Sequence, residues 1–238
     1  MKKIVFLFLF ASLINTSFAQ DEKIQDLKKS VLKAMGGKKN YDKTNIIQWT
    51  FFGTRTHIWD KKNQVVRIEY LKDRTIILLN LKDKSGRVSK KGREVMAADS
   101  LKTLCLEAYN VWINDSYWLV MPFKLDDPGV KLTYVGEQNT AENKPADVLE
   151  MTFEKVGVTP ENKYHIFFDK ESKLISQWSF FQTIKDTKPR FTMPWKEYKT
   201  YGKILLSGSR GERSLGDIAV YDKLDPAVFT SFEKPVLK

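Results

Sequence analysis

The sequence predicts an α+β fold: one large, strongly curved antiparallel sheet with helices on one face. Three observations carry this. Two stretches, Ile24–Met35 and Leu101–Ile113, hold apolar residues at helical spacing. Most of the remaining chain alternates apolar and polar residues with period two. Gly, Pro, Asp and Asn punctuate those runs at the short intervals that hairpins need.

The first helix is read from "DEKIQDLKKSVLKAMGG", where Ile24, Leu27, Val31, Leu32 and Met35 share a face and Gly36–Gly37 supply a stop. Strands follow. In "IIQWTFFGTRTHIWD", Ile47, Trp49 and Phe51 alternate with Gln48 and Thr50, and Gly53 marks an expected bulge. "QVVRIEYL" sets Val66, Ile68 and Tyr70 against Arg67 and Glu69, while "RTIILLNL" is apolar on both faces. The basic stretch "KDKSGRVSKKGR", residues 82–93, reads as a polar hairpin or loop. The second helix carries Leu101, Leu104, Cys105, Ala108, Tyr109, Trp112 and Ile113, with Asp99 or Ser100 as N-cap.

The stretch "NDSYWLVMPFKLDDPGVKLTYVGE" then leaves that helix. "YWLVM" ends at Pro122, and "DDPG" turns the chain into a strand with Val130, Leu132 and Tyr134 alternating. A long meander completes the chain. "DVLEMTFEKV" alternates Leu149, Met151 and Phe153. "KYHIFFD" and "KLISQWSFFQT" flank a short turn at "KES", and three or four shorter strands follow.

The 238 residues have globular composition, 42% hydrophobic and 29% charged. Lys2, Lys3, the apolar "IVFLFLFASLI" and "SFA" ending at Ala19 read as a secretory leader over residues 1–19. That apolar run is shorter than the roughly 20 residues needed to span a bilayer. Residues 20–238 are then expected as one exported, periplasmic domain. A formal charge of +11 for the whole chain fits either a lysine-rich soluble surface or contact with anionic partners. Cys105 is the only cysteine, which excludes an intramolecular disulfide, and its apolar neighbours make it a core thiol.

Chemistry-bearing motifs are sparse. His57 and His165 lie on separate strands, and no zinc-type spacing accompanies them. There is no G-x-S-x-G elbow. "SGSRGERSLGD" lacks the ending of a phosphate loop and reads as a hairpin. Asp60, Glu69, Asp147 and Glu150 are scattered on strands, which leaves a carboxylate pair open but unsupported. No catalytic residue, cofactor, metal or nucleic-acid partner is expected, and the chain is expected to be a monomeric non-enzyme.

"NDSYWLVMPFKLDDPGVKLTYVGE", followed by "DVLEMTFEKVGVTPENKYHIFFDKESKLISQW", resembles a secreted bacterial family of unassigned role that is similar to the outer-membrane lipoprotein-carrier (LolA/LolB-like) fold. The resemblance runs from about Ile24 to Trp178. It implies an unclosed β-barrel with helices on its concave face, over an apolar cavity that takes acyl chains. It carries over no individual binding residue.

The alternation places Trp49, Tyr70, Leu149, Met151, Phe153 and Trp178 on the concave side. Two readings are open for them: lining of an acyl-chain cavity, or an ordinary filled core beneath the helices. Lys90, Lys91 and Arg93 are read either as a solvated loop or as a contact with an anionic membrane or partner. The resulting functions are a carrier or binder of a lipid or lipidated protein, an envelope protein-interaction module without a lipid ligand, and a hydrolase with a polar cleft.

Overall fold

The computed structural model of the protein describes residues 3–154 and 157–237, with side chains from residue 19 onward. The basic start of the expected leader, at Lys2, and the side chains of residues 3–18 lie outside the described residues, so the leader rests on sequence alone.

In chain order the elements are α1 (Lys3–Ala34), α2 (Lys38–Lys43), β1 (Ile46–Phe51), β2 (Arg55–Asp60), β3 (Val65–Tyr70), β4 (Thr75–Asn80), β5 (Gly86–Lys90) and β6 (Arg93–Glu94). Next come α3 (Ala98–Val120) and a 3-10 turn (Met121–Phe123). The second half holds β7 (Val130–Asn139), β8 (Pro145–Phe153), β9 (Lys163–Asp169), β10 (Ile175–Phe181), β11 (Phe191–Pro194), β12 (Lys196–Tyr201), β13 (Ile204–Arg210), β14 (Arg213–Tyr221) and α4 (Ala227–Thr230).

This is an α+β fold of unclosed, strongly curved antiparallel sheets carrying a few helices. Where the sequence suggests one large sheet, the strands divide between two: β12-β13-β14-β1-β2-β3-β4-β5-β6 and β11-β10-β9-β8-β7. The chain accordingly forms two compact units, one of Met1–Met35 with Leu125–Pro194, the other of Gly36–Lys124 with Trp195–Lys238.

The first unit is the five-stranded sheet with α1. Ile24, Leu27, Val31 and Met35 are buried, the face that helical spacing assigns. Lys28 on the same helix reaches Asp126 in an ion pair. Asp127 and Gly129 close the turn into β7, with Val130 donating to the Asp127 carbonyl and Gly129 at φ 82°. The β9–β10 turn is held by Asp169, whose carboxylate accepts from the Ser172 backbone at 2.8 Å and its hydroxyl at 2.7 Å.

The second unit is the nine-stranded sheet. Direct register pairs share a face, so one row crosses four strands as His57, Ile68, Ile77 and Val88, with Trp49 opposite His57 on β1. All five are at most 3% exposed. Helix α3 packs on this face, contacting β4, β5 and β13. The opposite face buries Ile46 and Ile58 under Leu224 and Val228, with Phe229 and Leu237 packed beside them. At about 1.5–3 kcal/mol per buried aliphatic or aromatic side chain, each layer contributes strongly to folding.

Three local expectations change. Gly53, at φ 63°, lies in the turn joining β1 to β2, and the irregularity of β1 falls between Gln48 and Thr50 against β14. The N-cap of α3 is Ala97, with Asp99 one position inside the helix. Helix α3 also runs on through "NDSYWLV" to Val120, and only at Pro122, which has no N–H to give, does the chain tighten into the 3-10 turn. The basic stretch is a true hairpin. Gly86 is required at its start, because a Cβ there would stand 2.3 Å from the Leu78 carbonyl oxygen.

Candidate functional site

On the five-stranded sheet the register gathers four of the six residues read as cavity lining. Leu149 pairs with Ile166, and Ile166 with Trp178. Met151 pairs with Leu132 and Tyr164, while Phe153 pairs with Val130. All point to the face covered by α1, since Asp147, two residues before Leu149, accepts from Lys23 Nζ at 3.0 Å. Along this face exposure is graded. Leu149, Met151, Ile166 and Trp178 are at most 1% exposed. Leu132, Phe153, Tyr164, Phe180 and Phe191 are half-buried.

Those half-buried side chains form an aromatic ladder. Phe153 and Tyr164 meet edge to face at 6.0 Å, Tyr164 and Phe180 lie tilted at 5.4 Å, and Phe180 stacks on Phe191 at 4.9 Å. Tyr164 also stacks on Trp178 at 4.9 Å. Burial pushes the Tyr164 phenol up, so it remains neutral through the physiological range. The row Leu132–Met151–Tyr164–Phe180–Phe191 thus crosses all five strands without a charge.

A cleft of about 140 Å³ lies at the other end of this face, with Lys23, Asp26 and Ser30 of α1 opposite Asp147, Asp169 and Lys173, over a floor of Leu27 and Phe168. Lys23 and Asp147 are paired with each other across it. Asp147 takes Lys23 and also the Tyr134 hydroxyl at 2.7 Å. Burial would raise the Asp147 carboxyl, but the Tyr134 and Lys23 hydrogen bonds hold it below the usual value. None of the six predicted residues lines this cleft.

Trp49 and Tyr70, the other two, belong to the second unit. Trp49 is fully buried and stacks on His57 at 4.5 Å; Tyr70 is half-buried, 5.9 Å from the Arg55 guanidinium. Beside them lies a charged group that alternation alone does not reveal. Asp115 of α3 accepts from Arg55 Nε at 2.6 Å and a terminal guanidinium nitrogen at 2.8 Å. Its Oδ2 also lies 2.7 Å from His57 Nε2. The Asp115 and His57 side chains are 0% exposed. Burial drives the His57 imidazole below its ordinary value despite the Asp115 contact, so the ring is neutral and donates from Nε2. Its Nδ1 has no hydrogen-bond partner. Burial alone would raise the Asp115 carboxyl, yet the bonds from His57 and Arg55 hold it low. The group pins α3 to the sheet, with Asp115 and His57 closed to solvent and the Arg55 side chain partly exposed.

Lys90, Lys91 and Arg93 are exposed at the tip of the β5–β6 hairpin. Lys91 and Gly92, at φ 51° and 79°, make the two-residue turn, with Lys90 opposite Arg93. Because Thr75 pairs with Lys90, the β3–β4 turn is adjacent. It adds exposed Lys72 and Arg74, and Leu71 at 53% exposure. Met96, just beyond β6, is 81% exposed.

The strand acids each have local partners. Asp60 accepts from Asn63, Glu69 from Arg67, and Glu150 meets His165 at 3.2 Å and Lys163 at 3.4 Å. Among the described residues no group of three His, Cys, Asp or Glu side chains is arranged to hold a metal ion. Among them, too, no helix is long and apolar enough to cross a membrane.

No family model matches the chain, and no curated protein matches it. Among solved structures it is similar to a DUF1329 family protein from Desulfovibrio piger, with 12% identity and a TM-score of 0.45 over 86% of this chain and 96% of that one. It is also similar to MucB in its complex with MucA(peri), with 18% identity and a TM-score of 0.23 over 66% of this chain and 48% of that one.

Proposed function

We propose that the protein is a non-enzymatic binding or carrier protein of the periplasm, exported through its leader, for an acyl-chain lipid or a lipidated protein. The observation that carries this reading is the uncharged row Leu132–Met151–Tyr164–Phe180–Phe191, four of whose members are half-buried. An acyl chain laid along it gains about 0.8 kcal/mol for each methylene removed from water, so eight methylenes offer about 6 kcal/mol before ordering costs. Half-buried aromatic rings suit a floppy hydrocarbon, because they offer area without requiring directional bonds. The exposed basic tip at Lys90, Lys91 and Arg93 fits approach to an anionic membrane surface.

A second reading has its own support. Trp49, Leu149, Met151 and Trp178 are at most 1% exposed, as a filled core requires, while Leu71 and Met96 stand exposed near the basic tip. That combination suits an envelope protein-interaction module without a lipid ligand.

Native mass spectrometry of the purified protein, together with titration of a fluorescent fatty acid, separates the two. Retained lipid is expected, with binding that weakens at least tenfold in Phe180→Asp while the thermal melt moves by only a few degrees. A wild-type protein that retains no lipid and binds no fatty acid overturns the carrier reading and leaves the interaction module.

A further inference from the structure

The two ends of the five-stranded sheet differ in character. At one end the β9–β10 turn borders the polar cleft that holds Lys23, Asp147 and Asp169. At the other stands the aromatic ladder. Phe153 is the last residue of β8, Tyr164 the second of β9, Phe180 the last but one of β10 and Phe191 the first of β11. The connections that leave this end are residues 154–162 and 182–190.

The 182–190 connection is firmly built. The Asp186 N–H donates to the Thr183 carbonyl at 3.2 Å, which closes a four-residue turn. The Asp186 carboxylate accepts from the Thr183 N–H and hydroxyl, both at 2.9 Å. Lys163 of β9 donates to the Asp186 carbonyl at 2.9 Å, and the Arg190 N–H donates to the Phe180 carbonyl at 2.7 Å. Ile184 and Lys185 are the two central residues of that turn, and both are exposed, Ile184 at 55%. Turn centres favour Gly, Pro, Asn, Asp and Ser, so a β-branched apolar side chain there gains neither backbone fit nor packing.

One exposed isoleucine is ordinary on a protein surface. This one has company. Lys185, Lys188 and Arg190 are exposed around it, and Val158 is 45% exposed on the neighbouring connection. Among the described residues, Lys185 and Lys188 make no hydrogen bond or ion pair. Asp186, the acid of the same connection, spends its carboxylate inside the turn. Of the acids on the neighbouring connections, Asp126 pairs with Lys28 and Glu154 with Lys131. Asp127 is half-buried, and Glu161 stays exposed.

We propose that this end of the five-stranded sheet docks on an anionic lipid bilayer, with Ile184 entering among the acyl chains and Lys185, Lys188 and Arg190 meeting the headgroups. This rests on the carrier reading and names where its acyl chain enters. An apolar turn ringed by cations matches the layering of such a membrane, hydrocarbon beneath anionic headgroups. Long basic side chains reach up to the headgroup level while their stems stay in apolar surroundings. The bond from Arg190 to Phe180 roots the hairpin on the Phe180–Phe191 rung, so that rung is the first the entering chain meets. The polar end, where Lys23 and Asp147 pair, faces water in this orientation.

Cys105 is buried, so a cysteine introduced at the surface takes a label alone. The test places an environment-sensitive dye on Ile184→Cys and, for reference, on Lys144→Cys, exposed in the β7–β8 turn at the opposite end. Vesicles of phosphatidylcholine containing phosphatidylglycerol, at low salt, are expected to shift the first dye to the blue and shield it from acrylamide. The second dye should not change, and pure phosphatidylcholine should move neither. Lys185→Glu with Lys188→Glu is expected to abolish the shift and weaken sedimentation with the anionic vesicles at least tenfold, with a melting temperature near wild type. A dye at position 184 unshifted on vesicles that sediment the protein, an equal shift at position 144, or an undiminished shift in the reversed variant overturns the proposal. A fluorescent fatty acid titrated without vesicles reads the carrier site alone, and the reversed variant should bind it as wild type does. Wild type that fails this titration while its dye still shifts loses the carrier reading and keeps the docking end. Wild type that binds the fatty acid while the dye stays unshifted loses the docking end alone.

Discussion

Arg55 grips Asp115 through two parallel hydrogen bonds of 2.6 and 2.8 Å, and so ties β2 to a carboxylate near the C-terminal end of α3 that has no exposure to solvent. A buried charge pair of this kind adds modestly to stability as a pair, yet breaking it is expensive because one charge is left stranded. Asp115→Ala leaves Arg55 unpaired and the His57 donor unmet. A loss of about 3–5 kcal/mol is expected in a urea denaturation series. Asp115→Ala with Arg55→Met, which removes both charges, should recover more than half of that loss. A single mutant within about 0.5 kcal/mol of wild type would show that α3 is held by apolar packing alone.

The same group makes stability depend on pH in a definite direction. The folded state depresses His57 below its ordinary 6.5. The unfolded chain then binds the proton first, and stability falls as pH drops below about 6.5 toward the folded midpoint. Asp115 is held below its ordinary 3.8, which adds a second loss as pH falls below that value. Melting temperature measured from pH 7.5 to 4.5 should therefore decline with acid. His57→Gln, whose amide still donates to Asp115 but does not titrate, should flatten the upper part of that decline. A wild-type melt that is level from pH 7 to 5 would count against a buried neutral His57.

On the other face of the nine-stranded sheet, Arg67 holds the C-terminal segment. Its side chain is fully buried, and it donates to the carbonyls of Val228, Ser231 and Glu233. Only a planar fork of five donors reaches three such acceptors at once. Arg67→Lys keeps the charge but cannot make those bonds together. Amide exchange over residues 227–233 is expected to speed up at least tenfold in Arg67→Lys, with the amides of α3 unchanged. Uniform loss of protection across the unit would mean instead that Arg67 supports the whole sheet.

Much of this architecture is legible in the sequence, and what is not has a physical reason. The buried face of α1 follows from the spacing of Ile24, Leu27, Val31 and Met35, and the turn at Asp169 follows from its side chain's habit of accepting local backbone N–H groups. Alternation also places Leu149, Met151 and Trp178 on one face. It says nothing of which strands pair, so the division into two sheets and the pairing of β14 with β1, about 170 residues apart, are invisible to it. Asp115 was obscured by its neighbours. The expected helix stops at Ile113, before the polar "NDS" and the apolar "YWLV", while tertiary packing keeps all seven residues helical. The aromatic ladder arises from register, which composition does not encode.

The last prediction concerns the basic tip. Lys90, Lys91 and Arg93 are exposed around a two-residue turn, and pairing of Thr75 with Lys90 brings Lys72 and Arg74 of the next turn alongside. Near an anionic surface each basic side chain contributes about 1 kcal/mol, so five together would bind usefully even without insertion of Leu71. Reversing Lys90, Lys91 and Arg93 to Glu replaces attraction by repulsion at three points. Because all three side chains stand in solvent, the fold should be little affected, and the melt should shift by no more than a few degrees. Sedimentation with vesicles containing phosphatidylglycerol at low salt is expected to show at least a tenfold loss of binding by the triple mutant. The gap should narrow at 0.5 M salt, where screening shortens the reach of surface charge to about 4–5 Å. Lys72→Glu with Arg74→Glu should reproduce part of the loss, since register makes the two turns one surface. Equal vesicle binding by wild type and triple mutant at low salt would leave the tip as a solvated hairpin.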